Sequence, residues 1–244
     1  MKNLTPIIKN LLIINVLMFM ATIVGERYGV RLSDNLGLHF VLSDSFNAAQ
    51  LFTYMFMHGS FSHLFFNMFA VYMFGSALEM VWGPKRFLFY YLLCGVGAGL
   101  IQEAVTGVHY AIITQGMDPK AVELVLNEGL NALNQNMNYV DAQMATLNLI
   151  INGGVVGASG AVYGILLAFA MMAPNQPLYI FPLPFPIPAK YMVIGYAILE
   201  LMLGMSNNPA DHVAHFAHLG GMLVGLLIIL YWRKKQRNNG FYTH

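Results

Sequence analysis

Three stretches of this chain contain no Lys, Arg, Asp or Glu: residues 45–78, 142–189 and 212–232. A helix that crosses a bilayer needs about 20 consecutive, mostly apolar residues. Within hydrocarbon every backbone N–H and C=O must be satisfied internally, which leaves helices or closed barrels. Runs this long and continuous do not match the short alternating segments of a barrel. Composition agrees: apolar residues make up 57% of the 244 and charged residues 9%. Twelve basic and eleven acidic side chains are too few to keep a soluble fold of this size in water. A soluble globular enzyme, a disordered chain and a nucleic-acid-binding protein are therefore excluded. The formal charge of +1 steers no partner, and the single cysteine, Cys94, supports neither a disulfide framework nor a cysteine metal site.

The expected fold is an all-α membrane protein in a single domain over residues 1–244. Six spans are expected, at about 7–25, 60–81, 86–106, 158–173, 189–204 and 213–232. The first is read as a retained helix, because no small-x-small cleavage site precedes Glu26. Six spans put both termini on one side, together with Lys2, Lys9, Lys85, Arg86, Lys190, Arg233, Lys234, Lys235 and Arg237. Only Arg27, Arg31 and Lys120 fall opposite. The positive-inside rule makes the basic face cytoplasmic, with a basic tail at 233–244, and a bacterial inner membrane is the expected setting.

Three connections stand out. Residues 26–59 form a long outer loop in which His39, Phe40, Leu51 and Phe52 are expected to dip toward the interface. Residues 107–148 form an outer insert. There Asp118-Pro119 reads as an N-cap followed by proline at the first helical position. Val122, Val125, Leu126, Leu130 and Leu133 make one apolar stripe, which predicts an amphipathic helix on the membrane or on the protein. Residues 174–188 hold six of the ten prolines and read as a stiff extended connector, with an SH3-type ligand as the alternative.

Polar groups inside spans are expensive and default to functional hypotheses. Gly157-Ala158-Ser159-Gly160 opens the fourth span. Small residues there serve close helix packing. The uncharged, glycine-containing stretch 148–157 before them reads as an irregular strand descending into the protein. A helix over 158–173 would be ~24 Å long against a ~30 Å core, so Ser159 would lie below the outer surface, at a helix N-terminus suited to a developing oxyanion. In the last span, His212, His215 and His218 sit at i, i+3 and i+6, with no neighbouring Cys or Glu in sequence to complete a metal site. Gly221 and Gly225 follow His218 at the same i, i+4 spacing that Gly160 and Gly164 show on the fourth span, so two small-residue faces could bring Ser159 and His218 into hydrogen-bond reach. Tyr163, one turn below Ser159, could support the imidazole. His63 and Asn67 share one face of the second span and could donate to an oxyanion, or could simply bond two helices together. Glu79 and Glu103 lie near helix ends; Glu200 lies deeper, with no role assigned.

These pieces together resemble the rhomboid family of intramembrane serine proteases. His63-x-x-x-Asn67, Gly157-x-Ser159-Gly160-x-x-Tyr163 and Ala217-His218-x-x-Gly221-x-x-x-Gly225 stand in family order and spacing on spans two, four and six. The segment Phe52–His58 and the Gly83-Pro84 turn are similar as well. The resemblance implies a six-helix bundle with a short central fourth helix. It implies Ser159 as nucleophile, His218 as general base, an oxyanion hole of His63, Asn67 and the Ser159 N–H, and Tyr163 packed under His218. Gly157, Gly160, Gly221 and Gly225 would support the close approach. Cleavage of transmembrane protein substrates is implied, with no cofactor and no metal; oligomeric state is left open.

Asp211, about 10.5 Å from His218 along a helix, is too far to orient its imidazole, which favours a dyad. His212 and His215 read as loop or cap residues, and His58 as a structural support. Many relatives carry Trp-Arg where this chain has Ala49-Gln50, so the anchoring of the first outer loop must differ here. The polar loop of Asn207, Asn208, Pro209 and Asp211 is expected to cap an active-site cavity open to the outer face. Two other classes are compatible with parts of the pattern. One is a catalytically inactive rhomboid-like binder of membrane proteins. The other is a transporter using His218, Glu103 and Glu200, which would show inverted repeats that this chain lacks.

Overall fold

The computed structural model describes residues 4–179, 184–206 and 213–238. It is mostly helical. Among the described residues four helices are long and apolar enough to cross a membrane: Pro6–Arg27, Phe61–Trp82, Pro84–Thr114 and His215–Asn238. Two shorter helices, Ser159–Met172 and Ala189–Met205, pack among them. The 14-residue Ser159 helix is the hub, touching the Phe61, Pro84, Ala189 and His215 helices. Outward faces carry exposed Leu17, Phe66, Met80 and Leu227. Such apolar surface is stable against lipid and costly against water.

Helix ends follow local chemistry. Ser60 caps the Phe61 helix by accepting from the His63 N–H at 3.1 Å. That helix ends at Gly83, whose φ of 79° suits glycine, and Pro84 starts the next one. Glu79 is buried and accepts from the backbone N–H groups of Ile7 and Ile8, both at 3.0 Å. Its carboxylate thus satisfies the N-terminus of the first helix, where negative charge is favoured.

The outer insert departs from expectation in two respects: the third helix runs on to Thr114, past the expected end of that span near 106, and a further helix follows the amphipathic one. Asp118 caps the helix Pro119–Asn134, as its sequence predicts. A second helix, Ala142–Asn152, follows, with the Asp141 carboxylate accepting from the Met144 N–H at 2.9 Å. Irregular backbone is therefore confined to residues 153–158 rather than 148–157. The amphipathic stripe packs on protein: Val125 joins Phe40, Leu147 and Ile151 in a satellite core.

The first outer loop solves its anchoring with Gln50. This residue is 2% exposed. Its amide donates to the carbonyls of Ser45 (2.8 Å) and Asn35 (3.1 Å), and its oxygen accepts from the N–H groups of His39 and Asn47, both at 3.2 Å. One buried amide with every valence used ties the loop together. Of the four residues expected to dip toward the membrane interface, Phe52 is exposed and Leu51 half-buried, whereas His39 and Phe40 are buried in the protein. The proline-rich connector pairs Pro177–Leu178 with Ile187–Pro188 as a minimal antiparallel ladder; residues 180–183 lie outside the described residues.

Candidate active site

The approach to Ser159 is built by backbone pairing. Leu38 and Val155 exchange two hydrogen bonds of 2.8 Å, and the Gly157 N–H donates to the Tyr54 carbonyl at 2.9 Å. These bonds satisfy irregular backbone buried in protein, the condition under which it is tolerated at membrane depth. Gly157 has φ 132°, a conformation that side-chain-bearing residues avoid. A methyl group built there would lie 2.7 Å from the His63 ring and 3.5 Å from Ser159 Oγ. Glycine at this point keeps open the small space that His63 and Ser159 share.

Ser159 is the first residue of its helix. His218 lies in the first turn of the helix His215–Asn238. Backbone contact brings the two helices together. A Cβ on Gly221 would fall on the Gly160 carbonyl, and one on Gly164 would sit 3.1 Å from the Gly221 oxygen and 2.7 Å from Cys94 Sγ. Gly225 differs from the sequence expectation. It faces the Pro84–Thr114 helix, where Tyr90 and Cys94 occupy the space its Cβ would need. The Tyr90 hydroxyl in turn donates to the Gly164 carbonyl at 2.8 Å. The glycines thus form a three-helix junction rather than two matched faces.

At this junction His218 Nε2 lies 2.8 Å from Ser159 Oγ. The Tyr163 ring stacks on the His218 imidazole, with centroids 4.3 Å apart and planes 8° from parallel. Ser159 and His63 are half-buried, whereas Asn67 and His218 are buried. Asn67 Nδ2 has no hydrogen-bond acceptor among the described residues. A buried donor without an acceptor is costly, and here it sits on the helix that carries His63. In such an arrangement a hydroxyl can pass its proton to an imidazole while a neighbouring amide receives a new negative charge.

From sequence, Glu200 has no assigned role, no Cys or Glu neighbours the histidines, and Asp211 is too far along the helix to orient His218. Space supplies an acidic neighbour, from the helix Ala189–Met205. The Glu200 carboxylate is 2.6 Å from His215 Nδ1 and 3.0 Å from His218 Nδ1 and accepts from the Tyr163 hydroxyl. His215 is accordingly a buried partner of Glu200 rather than a loop residue. Glu200, His215 and His218 offer ligand atoms within 4.8 Å of one another, a grouping able to hold a metal ion. As arranged, the 2.6 Å His215–Glu200 contact is a direct hydrogen bond with no room for an ion between its partners. The deep acidic residue was itself the signal, since an ionisable group inside a span needs a partner. His212, Asp211 and the proposed capping loop fall at 207–212, outside the described residues.

His58 precedes the Phe61 helix and is buried, its ring edge-on to His63 at 5.0 Å. Burial, reinforced by neighbouring His63, pushes it down to about 4. An unfolded histidine titrates near 6.5, so between these values the unfolded chain binds more protons and stability falls as pH falls. The contribution is complete above about 6.5 and is lost on the way to about 4. The Phe56 carbonyl opposes the shift by favouring the charged ring, but burial outweighs it. His58→Phe should therefore flatten the stability profile across this window by on the order of 3 kcal/mol, measured by denaturant unfolding in micelles. An unchanged profile refutes the assignment.

Comparison with known proteins gives a consistent match. A family model, the rhomboid domain, covers residues 45–235. A mitochondrial rhomboid-like protein 12 of Arabidopsis thaliana is 29% identical over 196 residues, 78% of this chain and 49% of its own. The mitochondrial rhomboid protein 1 of Saccharomyces cerevisiae is 26% identical over 191 residues, 75% and 42%. A Bacillus subtilis protein provisionally named a rhomboid protease is 26% identical over 189 residues, 77% and 69%. The chain spans about half the length of the two mitochondrial relatives. With a family domain laid over most of its length and spanning Ser159, His218 and the glycines of their junction, this multi-pass membrane protein belongs to the rhomboid family.

Proposed function

We propose that the chain is an intramembrane serine endopeptidase that cuts membrane-protein substrates in or near their transmembrane segments. The observation that carries this reading is the 2.8 Å contact between Ser159 Oγ and His218 Nε2. Ser159 Oγ attacks the scissile carbonyl carbon, and its proton passes to His218 Nε2. The carbonyl oxygen becomes an oxyanion that accepts from Asn67 Nδ2, His63 and the Ser159 backbone N–H. Collapse of the tetrahedral intermediate breaks the C–N bond, and the leaving amine takes the proton from Nε2. Water, its proton taken by the same nitrogen, then hydrolyses the acyl-serine.

In this reading the chain crosses the membrane six times, with the Ser159 and Ala189 helices as the fourth and fifth spans beside the four long apolar helices. Both termini then lie on the cytoplasmic side and the site opens toward the outer face, as the distribution of basic residues favours. Substrates must unwind locally, because a helical peptide bond shields its carbonyl.

Two measurements test the reading together. Wild-type protein in membranes should generate new protein termini that Ser159→Ala does not, and a serine-directed fluorophosphonate should label wild type at Ser159. Asn67→Ala should slow turnover by ~10²–10³-fold if its amide receives the oxyanion. A wild type that neither labels nor cuts overturns the proposal and leaves a membrane-protein binder without catalysis.

A further inference from the structure

A serine–histidine dyad has no use for Glu200, yet its carboxylate lies beside the dyad's imidazole. Glu200 is 6% exposed, in a part of the chain where a carboxylate without partners is strongly disfavoured. One carboxylate oxygen accepts from the Tyr163 hydroxyl; the other lies 2.6 Å from His215 Nδ1 and 3.0 Å from His218 Nδ1. Tyr163 therefore touches His218 with its ring and Glu200 with its hydroxyl. His218 Nδ1 is buried, and no other polar group meets it among the described residues. The contact to Glu200 is at ion-pair distance, with the carboxylate oxygen the one charged atom beside this nitrogen among the described residues.

We propose that Glu200 is a positioning residue that acts through His218. Its carboxylate holds the imidazole proton on Nδ1, which leaves Nε2 unprotonated toward Ser159 Oγ. An imidazole has two ring nitrogens, and only the tautomer protonated away from the serine can serve as base. The same carboxylate, 3.0 Å away, stabilises the imidazolium that forms when the serine proton arrives. Tyr163 and His215 hold the carboxylate in place. This inference rests on the serine-protease reading. It turns a two-residue site into an acid–base–nucleophile chain, Glu200–His218–Ser159, with each member on a different helix.

The test is Glu200→Gln in the full chain, compared with wild type, Glu200→Asp, His218→Ala and the Glu200→Gln/His218→Ala double variant. Glutamine keeps the size and, through its oxygen, an acceptor for the Tyr163 hydroxyl, while its NH₂ takes the place of the oxygen that faces His215 and His218 Nδ1 and selects the wrong tautomer. Glu200→Gln should lower kcat by about 10²-fold or more, with KM within about twofold and thermal unfolding unchanged. Glu200→Asp, which keeps the charge, should recover part of the loss. The double variant should react with fluorophosphonate at the rate of His218→Ala alone, because Glu200 has nothing left to orient. Glu200→Gln turning over within about threefold of wild type overturns the proposal. So does a loss that adds to that of His218→Ala, or one that merely follows the folded fraction. A wild type without labelling or cleavage instead defeats the protease reading, so the two failures are distinct.

Discussion

His218→Ala is expected to lower the turnover of a reconstituted transmembrane substrate by about 10⁴-fold or more, with the protein still folded. A serine hydroxyl is a weak nucleophile unless a base removes its proton as it attacks. Removing the base from a comparable site costs as much as removing the whole catalytic unit, and a factor of 10⁴ corresponds to about 5 kcal/mol of lost transition-state stabilisation. At 2.8 Å from Ser159 Oγ, His218 Nε2 is the one base at hydrogen-bond distance from that oxygen among the described residues. The fold should survive the change. His218 touches Tyr163 face to face, but the junction itself rests on Gly160, Gly164 and Gly221 and on the Tyr90 hydroxyl bond to Gly164. The checks are initial rates in liposomes, fluorophosphonate labelling of Ser159 and thermal unfolding in micelles. Cleavage persisting at more than a few per cent of wild type would show that another group deprotonates the serine and would remove His218 from the mechanism.

Much of this site is legible in the sequence because each component is an anomaly against its background. Ser159 and His218 lie in stretches with no charged residue, and His63 and Asn67 share a helical face in another. Polar groups in lipid need a reason, so the few present draw attention. The parts that were not legible are those decided by which helix meets which. Glu200 lies 18 residues before His218 in sequence, and nothing local announces that its helix turns the carboxylate toward Nδ1. The partner of Gly225 is likewise set by the three-helix junction. Its i, i+4 spacing matches Gly160 and Gly164, but the side chains filling the space opposite come from Tyr90 and Cys94. The helix Ala142–Asn152 is a different case. The Asp141 cap that starts it is the same signal that located the Asp118 helix. Its apolar, charge-free composition and the glycines just beyond it made the run look like descending backbone. Gln50 shows a fourth route: a residue of ordinary appearance anchors a loop because its amide reaches four backbone groups at once, a property of geometry with no signature in composition.

Gly221→Ala should also be strongly damaging, through packing alone. The added methyl would overlap the Gly160 carbonyl, which belongs to the backbone of the opposing helix and cannot swing aside as a side chain does. Overpacking usually costs about 1–3 kcal/mol because neighbours adjust; with backbone on both sides, the helices themselves must separate. Separation acts directly on the Ser159–His218 contact, since Gly160 follows Ser159 and Gly221 lies one turn beyond His218. A misplacement of about 1 Å at reacting atoms can cost ~10²-fold in rate. Gly221→Ala is therefore expected to label with fluorophosphonate at least ~10²-fold more slowly than wild type, with a lowered unfolding temperature. Gly195→Ala is the matched control. It also sits in a helix, but its Cβ would meet nothing within 4 Å, so both labelling and unfolding should stay near wild type or improve slightly. If Gly221→Ala labels at the wild-type rate, backbone contact at the Gly160 crossing does not set the distance between nucleophile and base. If Gly195→Ala is equally damaging, the loss reflects general sensitivity of the helices to added volume.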